Sequence, residues 1–466
     1  MNQAQCRILG ILLFILFASI GRMDALWAQV PVQAVANVAA LRAGNFTAYP
    51  NLRLNGYYTA ADGGEGALVL VPSDTTSADN NCTIFVDAAN NRFYRLKETV
   101  RYQVSFYQCG ARGNGVADDT NAIQWAISAA TTMAAPSGGV YARVFCPAGI
   151  FETSGNIIYP GQRIELIGEH VAAVGGCQIK AASADVDVLT VTADAFRMDD
   201  VWLFGSNDTG TGSCLVLGSA SLGLNDTIIS NSWISNCWTA GIRIVRAQGV
   251  FISNTSIEVI RGAGILATIT SPGLEAKNIT INGSVFYDTQ TAISVTGTSS
   301  TESSTVLNWN IGAGSEFHTN GTVNTCAINI QNANGINITG NRFTLNRNHD
   351  VCGSSAGNLT VSSNTFTQGR GAAVNCTNCI STVANNNNGG EMWLGYAVGF
   401  QNSAIFLFNG GTNNVVMGNS FYCASPHAKF GLHTDSAAAL TGAGPNMFAC
   451  QTTNAYDVLG TKAWSY

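Results

Sequence analysis

Two carboxylates, an imidazole, a phenol and two guanidinium groups stand at related positions in the middle of this 466-residue chain: Glu258, Glu316, His318, Tyr287, Arg342 and Arg243. Five of them adjoin an apolar residue in the same way. Glu258 follows Ile257, Tyr287 follows Phe286, Glu316 and His318 flank Phe317, and Arg342 precedes Phe343. Side chains alternate across an extended strand, so the neighbours of a buried anchor face solvent together. If the anchors stack, Glu258 and Glu316 lie two strand spacings apart. That is about 9.6 Å, near the upper end of the roughly 6.5–9.5 Å at which one carboxyl protonates a leaving oxygen while another activates water. His318 is the alternative proton carrier, Tyr287 a stacking platform and Arg342 an anchor for a carboxylate. Arg243, a second cationic candidate for ligand binding, points outward between Ile242 and Ile244 with no acid cluster in register. The competing reading is an ordinary solvated polar face.

What must position these groups is a beat of two apolar residues five apart around a small polar turn. It reads Met198 to Leu203, Ile229 to Ile234, Ile252 to Ile257, Ile281 to Phe286, Ile338 to Phe343, Val361 to Phe366 and Val416 to Phe421. Ile311 to Phe317 is one residue longer. The second members follow at intervals of roughly 23 to 31 residues, the period of stacked solenoid coils, with room for a further coil between Phe366 and Phe421. Strand-like pieces such as Ile242 to Ile244, Ile265 to Ala267 and Ile293 to Val295 come after the beats. One coil cannot bury its apolar face alone, but stacking at about 4.8 Å per coil closes a continuous core. Asn231, Asn254, Asn341, Asn364 and Asn419 fall in the turn, where Asn tolerates the left-handed conformation and can hydrogen-bond its copy one coil away. Asp199 and Asp200 share that slot and read as turn residues. The expected fold class is all-β, a right-handed parallel β-helix, a single-stranded solenoid.

Composition agrees. Charged residues make up 11% of the chain, against roughly 25% in ordinary soluble proteins, so stacked polar ladders replace surface charge. A net charge of −6 without a basic stripe gives no support to nucleic acid as a partner. Residues 1–28 read as an export signal, with Arg7 ahead of the apolar run Ile8 to Ile20 and Leu26-Trp27-Ala28 before Gln29. An uncleaved anchor is the alternative, although the run is short for a membrane span, and no later segment is long and apolar enough to cross a bilayer. The mature protein is therefore expected to be secreted, periplasmic or on the cell surface. Thirteen cysteines, twelve of them after Cys6, suit disulfides in an oxidising space. Cys376 and Cys379 lack the context of a redox or zinc site, so a local disulfide or two buried thiols is expected. Residues 29–100 read as a small β module in which Asp62 to Gly66 is a tight turn rather than a phosphate cradle.

The segment Gly110-Ala111-Arg112-Gly113-Asn114-Gly115-Val116-Ala117-Asp118-Asp119-Thr120-Asn121-Ala122-Ile123 resembles the opening signature of the rhamnogalacturonase/epimerase-like branch of the pectate-lyase-like superfamily. Asn114 stands where that branch usually has Asp. Val144 to Phe151 is similar to the branch's first-coil segment, and Gly56 to Leu96 to a module that precedes such β-helices in tailspike-like proteins. Asp118 or Asp119 is expected to cap a helix near 119–130, whose Ile123, Ala126 and Ile127 plug the open end of the first coil. Residues 101–430 then form the β-helix and 431–466 a C-terminal cap. The resemblance implies an extracellular or cell-surface polysaccharide as partner, with Tyr287 against a sugar ring and Arg342 on a uronate. It also implies hydrolase or lyase chemistry, and a homotrimer in the manner of tailspikes. No cofactor is assigned, and no metal, because calcium-dependent lyases need clustered carboxylates. The acid slots of polygalacturonase-type hydrolases hold Thr239 and Ala240, Gly262 and Ala263, Gln290 and Thr291, Thr325 and Cys326. A non-catalytic glycan-binding or adhesion protein is therefore the second reading. Asn348-His349-Asp350 is expected on a surface loop.

Overall fold

The computed structural model of the protein describes residues 32–96, 103–134, 141–170, 175–206, 208–271, 273–321, 325–392, 404–423, 428–435, 439–449, 451–458 and 461–462. The expected leader and Trp464-Ser465-Tyr466 lie outside the described residues. Two compact units divide the chain, Met1–Leu96 and Lys97–Tyr466. In the first, the strands Val32–Val35, Asn51–Leu54, Gly66–Leu70, Arg92–Arg95 and Ile84–Val86 pair in that order. The helix Val38–Ala43 adds Val38 and Leu41 to a core with Leu52, Leu54, Leu68, Phe85 and Phe93. The Asp62 loop is the tight turn expected: its carboxylate accepts the amides of Tyr57, Tyr58, Thr59 and Gly64 at 2.7–3.0 Å.

The second unit is a parallel β-solenoid. Its described strands form sheets of 12, 14 and 13 members, and a typical coil gives one strand to each. In one coil, Ala247–Ser253 enters the 14-stranded sheet, Ser256–Glu258 the 13-stranded sheet and Ala263–Thr268 the 12-stranded sheet. The five-apart anchors are the last inward residue of one sheet and the inward residue of the next.

Between those anchors sits one left-handed residue. Asn231, Asn254, Gly283, Gly314, Gly340, Ser363, Asn386 and Gly418 all have φ between 47° and 85°. The residue after each turns inward and is buried: Ser232, Thr255, Ser284, Ser315, Asn341, Asn364, Asn387 and Asn419. The single asparagine file expected from the sequence is therefore two files, offset by one residue. Asn231 and Asn254 take the left-handed corner, whereas Asn341, Asn364 and Asn419 belong to the inward ladder. In that ladder the backbone amides of Asn341, Asn364 and Asn387 donate to Oδ1 of Asn364, Asn387 and Asn419 at 2.9, 3.1 and 3.0 Å. Each Nδ2 donates backwards, to the carbonyls of Ile311, Ile338, Val361 and Ala384 at 2.8–2.9 Å. Buried amides that would otherwise lack partners are thus satisfied coil by coil.

Beside the ladder runs a column of rings. Phe286, Phe317, Phe343 and Phe366 stack with centroids 4.9, 4.7 and 4.8 Å apart. The further coil before Phe421 is present, and Gly389 takes the ring's place in it, so Phe366 and Phe421 approach to 6.3 Å. Parallel pairing continues past the expected limit at 430: Val416 pairs with Ala443 and Phe421 with Phe448. The beat persists there from Ala443 to Phe448, with a side chain too small to mark it in the sequence.

At the other end, the helix Thr120–Ala134 packs on Gln103–Ser105, Ala142–Cys146 and Ile157–Tyr159, burying Ile123, Ala126, Ile127 and Ala130. Of the two aspartates expected to cap it, Asp118 alone offers its side chain to a helix amide. Asp118 accepts the Thr120 amide at 3.0 Å, while the Asp119 carboxylate turns back to the amides of Arg112 and Gly113 at 2.7 and 2.9 Å. The disulfides Cys146–Cys177, Cys214–Cys237 and Cys326–Cys352 span 31, 23 and 26 residues, about one coil each. Loops of that size contribute about 3 kcal/mol apiece. Cys376–Cys379 is the local disulfide expected, and every described cysteine is bonded.

Two substitutions probe the column and the ladder. Phe343→Ala should cost about 3–5 kcal/mol by opening a cavity between stacked rings. Asn364→Ala should cost about 2–3 kcal/mol by stranding the Asn341 amide and the Ile338 carbonyl. Urea unfolding followed by circular dichroism measures both, and a loss below about 1 kcal/mol in either would contradict this account of the core.

Candidate functional site

The 13-stranded sheet presents its outward residues in two files flanking the buried anchors. One file runs Gln178, Trp202, Trp233, Ser256, Val285, Glu316, Arg342, Thr365. The other runs Lys180, Phe204, Ser235, Glu258, Tyr287, His318, Thr344, Thr367. Alternation along each strand is what produces them. The single stripe expected from the sequence is therefore a double one. Glu258 and Glu316 fall in different files as well as two coils apart, so their backbones are about 12 Å from each other rather than 9.6 Å.

The structure does bring Glu316, His318 and Arg342 together. They line one depression of about 250 Å³ with Phe317 and Thr344. A second depression beside it, lined by Glu316, Arg342, Gly314, Gly340 and Thr365, extends the same surface. Glu316 and Arg342 are exposed, and among the described residues neither is engaged in an ion pair or side-chain hydrogen bond. Tyr287 stacks on His318 with ring centroids 5.2 Å apart and planes 9° from parallel. Thr319 Oγ1 donates to the His318 carbonyl at 2.8 Å and lies 3.3 Å from Nδ1. With the hydroxyl proton on the carbonyl, Nδ1–H is the donor in that contact; with it on Nδ1, the ring nitrogen accepts. In the first arrangement the lone pair is on Nε2, as a proton acceptor needs.

Glu258 sits one coil before Tyr287, its carboxylate accepting a short hydrogen bond from Ser256 Oγ. Arg243 belongs elsewhere: it lies on the 12-stranded sheet and pairs with Asp187 at 2.9 Å. Trp202 and Trp233 were not among the expected site residues, yet they flank the anchors Leu203 and Ile234 by the same rule. Their rings stack at 4.5 Å with planes 9° from parallel.

A second inward ladder supports the site strands from the following corner. Thr289 donates to Asn320 Oδ1 through both its amide and hydroxyl, and the Asn320 amide donates to Asn346 Oδ1 at 2.9 Å. Nδ2 of Asn320 and Asn346 reach the carbonyls of Phe286 and Phe317, the residues just before Tyr287 and His318. Asn346 Nδ2 also donates to Asp350 Oδ1 at 2.7 Å. Asp350 is thus a buried residue, 1% exposed, and the surface loop expected for it is not found. Burial pushes its carboxyl up to about 8. Desolvation likewise lowers neighbouring His349 to about 4, its Nδ1 accepting the Ala372 amide at 2.7 Å.

The family of phage tail protein small four-stranded β-sheet domains matches residues 34–98, and the rhamnogalacturonase A/epimerase, pectate lyase-like family matches residues 104–314. No curated protein sequence matches the chain. Among solved structures it is similar to full-length tailspike protein 2 of an Escherichia coli O157:H7 bacteriophage, at 14% identity over 90% of this chain and 53% of that one, TM-score 0.58. It is also similar to the tailspike of an Acinetobacter phage, at 12% identity over 94% and 73%, TM-score 0.57. The A-module of a mannuronan C-5 epimerase from Azotobacter vinelandii matches at 15% identity over 77% and 98%, TM-score 0.50. Likeness at these identities is one of fold. The chain spans about half the length of the first tailspike.

Asp350 gives the fold a measurable pH dependence. Its folded-state pKa lies above the ordinary 3.8, so between about pH 4 and pH 8 the native state holds a proton that the unfolded chain has released. Stability contributed by the neutral carboxyl is complete below pH 4 and lost as pH rises through 8. His349, lowered from 6.5 to about 4, works in the opposite sense between those values, so the net fall in melting temperature lies between about pH 6.5 and pH 8. Asp350→Asn should remove that fall, and an unchanged slope there would show that Asp350 is ionised in the fold.

Proposed function

From a chain whose residues 104–314 belong to the rhamnogalacturonase A/epimerase, pectate-lyase-like family, behind a phage-tail β-sheet domain, we propose a protein that cleaves an extracellular polysaccharide on the face of its 13-stranded sheet. The observation that carries this reading is the meeting of Glu316, His318 and Arg342 around one depression. Arg342 is placed to hold a uronate carboxylate. Glu316 and His318 project from alternate positions of one strand, about 7 Å apart along the backbone, with room for a glycosidic oxygen between them. In hydrolysis one delivers a proton to the leaving oxygen while the other takes a proton from water. In elimination His318 takes the proton beside the uronate carboxylate, whose charge Arg342 offsets; the neighbouring glycosidic C–O bond breaks as the ring carbon–carbon double bond forms, and the leaving oxygen takes a proton from Glu316 or from water. Disulfide staples suit an oxidising space outside the cytoplasm, as a secreted or surface-bound protein requires. Tailspike-like folding also supports a homotrimer, which sedimentation would reveal.

A specific observation favours the second reading, glycan binding without cleavage. Ala240, Ala263 and Thr291, in the slots where polygalacturonase-type hydrolases keep acids, are buried in the 12-stranded sheet.

Incubation with pectins, alginates and bacterial surface polysaccharides, followed by reducing-end release and unsaturated-product absorbance, separates hydrolysis, elimination and binding. Glu316→Gln and His318→Asn should each lower kcat/KM about 10²–10⁴-fold, and Arg342→Ala should raise KM for uronate-containing polymers. Arg243→Ala should leave kcat/KM unchanged. Substrates left intact but retained by the protein would establish the binding reading, and activity surviving both substitutions would remove the cleavage site from this depression.

A further inference from the structure

Charge is sparse and uneven along the outward face of the 13-stranded sheet. From Glu152 to Tyr422, Lys180 and Arg342 are the only lysine and arginine in its two files among the described residues. Lys180 Nζ is already paired with Glu152 Oε2 at 3.1 Å, so Arg342 is the cation that these files leave open to a ligand. Glu316 stands one coil before Arg342, and Glu258 three coils before it. One coil beyond Glu258 the face turns aromatic: Trp233 stacks on Trp202 at 4.5 Å, and Phe204 packs edge-on to Trp202 at 5.7 Å. Val285 and Tyr287 carry apolar surface onward between that cluster and the Glu316 depression. Arg261, Arg347 and Arg370 lie past the next corner, beyond the left-handed residues Val259, Leu345 and Gln368, and Arg347 is paired there with Asp288.

We infer that this face selects a sparsely charged heteroglycan, in which each acidic sugar is followed by several uncharged ones, and rejects a polymer with a carboxylate on every sugar. The inference rests on the glycan reading of this face and names its substrate class. An extended polysaccharide lying along the solenoid advances by close to one coil spacing per sugar, about 4.8 Å. Trp233 belongs to the same file as Arg342, four coil spacings or about 19 Å away, so about four sugars span the two. Arg342 offsets one carboxylate. In a homopolyuronate the acids that follow would lie over Glu316, Glu258 and the aromatic cluster, where like charge repels them and apolar rings cannot replace their water. Uncharged sugars in those positions set their C–H faces on Val285, Tyr287 and Trp233 and offer hydroxyl donors to Glu258. Selection therefore works by repulsion over Glu258 as much as by attraction at Arg342.

Pectins of graded methyl esterification test this, because they vary charge along an unchanged backbone. The full-length protein is compared by affinity electrophoresis on that series, on hyaluronan and deacylated gellan, whose uronates are spaced by uncharged sugars, and on bacterial surface polysaccharides, all ranked by the fraction of sugars with a free carboxylate. Affinity should peak at a low fraction, about tenfold or more above fully de-esterified pectin. Glu258→Gln, which removes a charge and keeps the side chain's shape, should narrow that gap by strengthening binding of the fully charged polymer. Trp233→Ala should weaken the sparsely charged polymers about tenfold and leave de-esterified pectin unchanged. Affinity that stays level or rises with the fraction of free carboxylates would overturn the inference and leave the glycan reading standing. Retention of none of these polymers would remove both.

Discussion

Everything in the solenoid depends on satisfying the backbone at its corners. A coil must change direction within one or two residues, and doing so buries amides and carbonyls that no strand partner reaches. The chain meets this with a left-handed residue followed by an inward Ser, Thr or Asn whose side chain bonds the neighbouring coil. Because the polar partner comes from the coil above or below, each corner is locked to its neighbour in height and in register. Aromatic stacking of Phe286, Phe317, Phe343 and Phe366 then follows from the same registration.

The site inherits its geometry from that lock. Glu316 and Arg342 have no side-chain partner among the described residues to fix their positions; the inward residues fix the strands that carry them. The Thr289, Asn320 and Asn346 ladder holds the carbonyls of Phe286 and Phe317, each one residue before a site side chain. Tyr287 and His318 stack in near-parallel planes because the strands beneath them are held one coil apart. Rigid elements of this kind suit a surface that must present several groups to a long ligand at once.

Much of this was legible in the residues, and the failures have physical causes. Anchors five apart were visible because large apolar side chains must recur wherever a core continues. Corner and ladder positions were confused because Asn suits both, one by tolerating a positive φ and the other by bonding with both ends of its amide. Glu258 and Glu316 share a stripe along the coil axis but stand two residues apart along the strand, a separation that the spacing of the anchors does not carry. Trp202 and Trp233 flank Leu203 and Ile234 just as Tyr287 flanks Phe286, so the residues themselves carry that placement. Asp350 could not be read at all: its burial depends on how the loop after Phe343 folds inward onto Asn346. The final coils escaped notice because alanine at 443 leaves no apolar beat to hear.

The inward ladder from Asn341 through Asn364 to Asn387 advances by 23 residues at each step. Such a segment is self-contained, since each copy offers upward what it accepts from below. Duplication or loss of one whole segment would preserve every contact except at a single seam. The length of the binding face can thus be tuned by gene rearrangement in units of one rung, independently of the chemistry displayed on it, whereas a gain or loss of one residue inside a strand would turn its outer side chains inward.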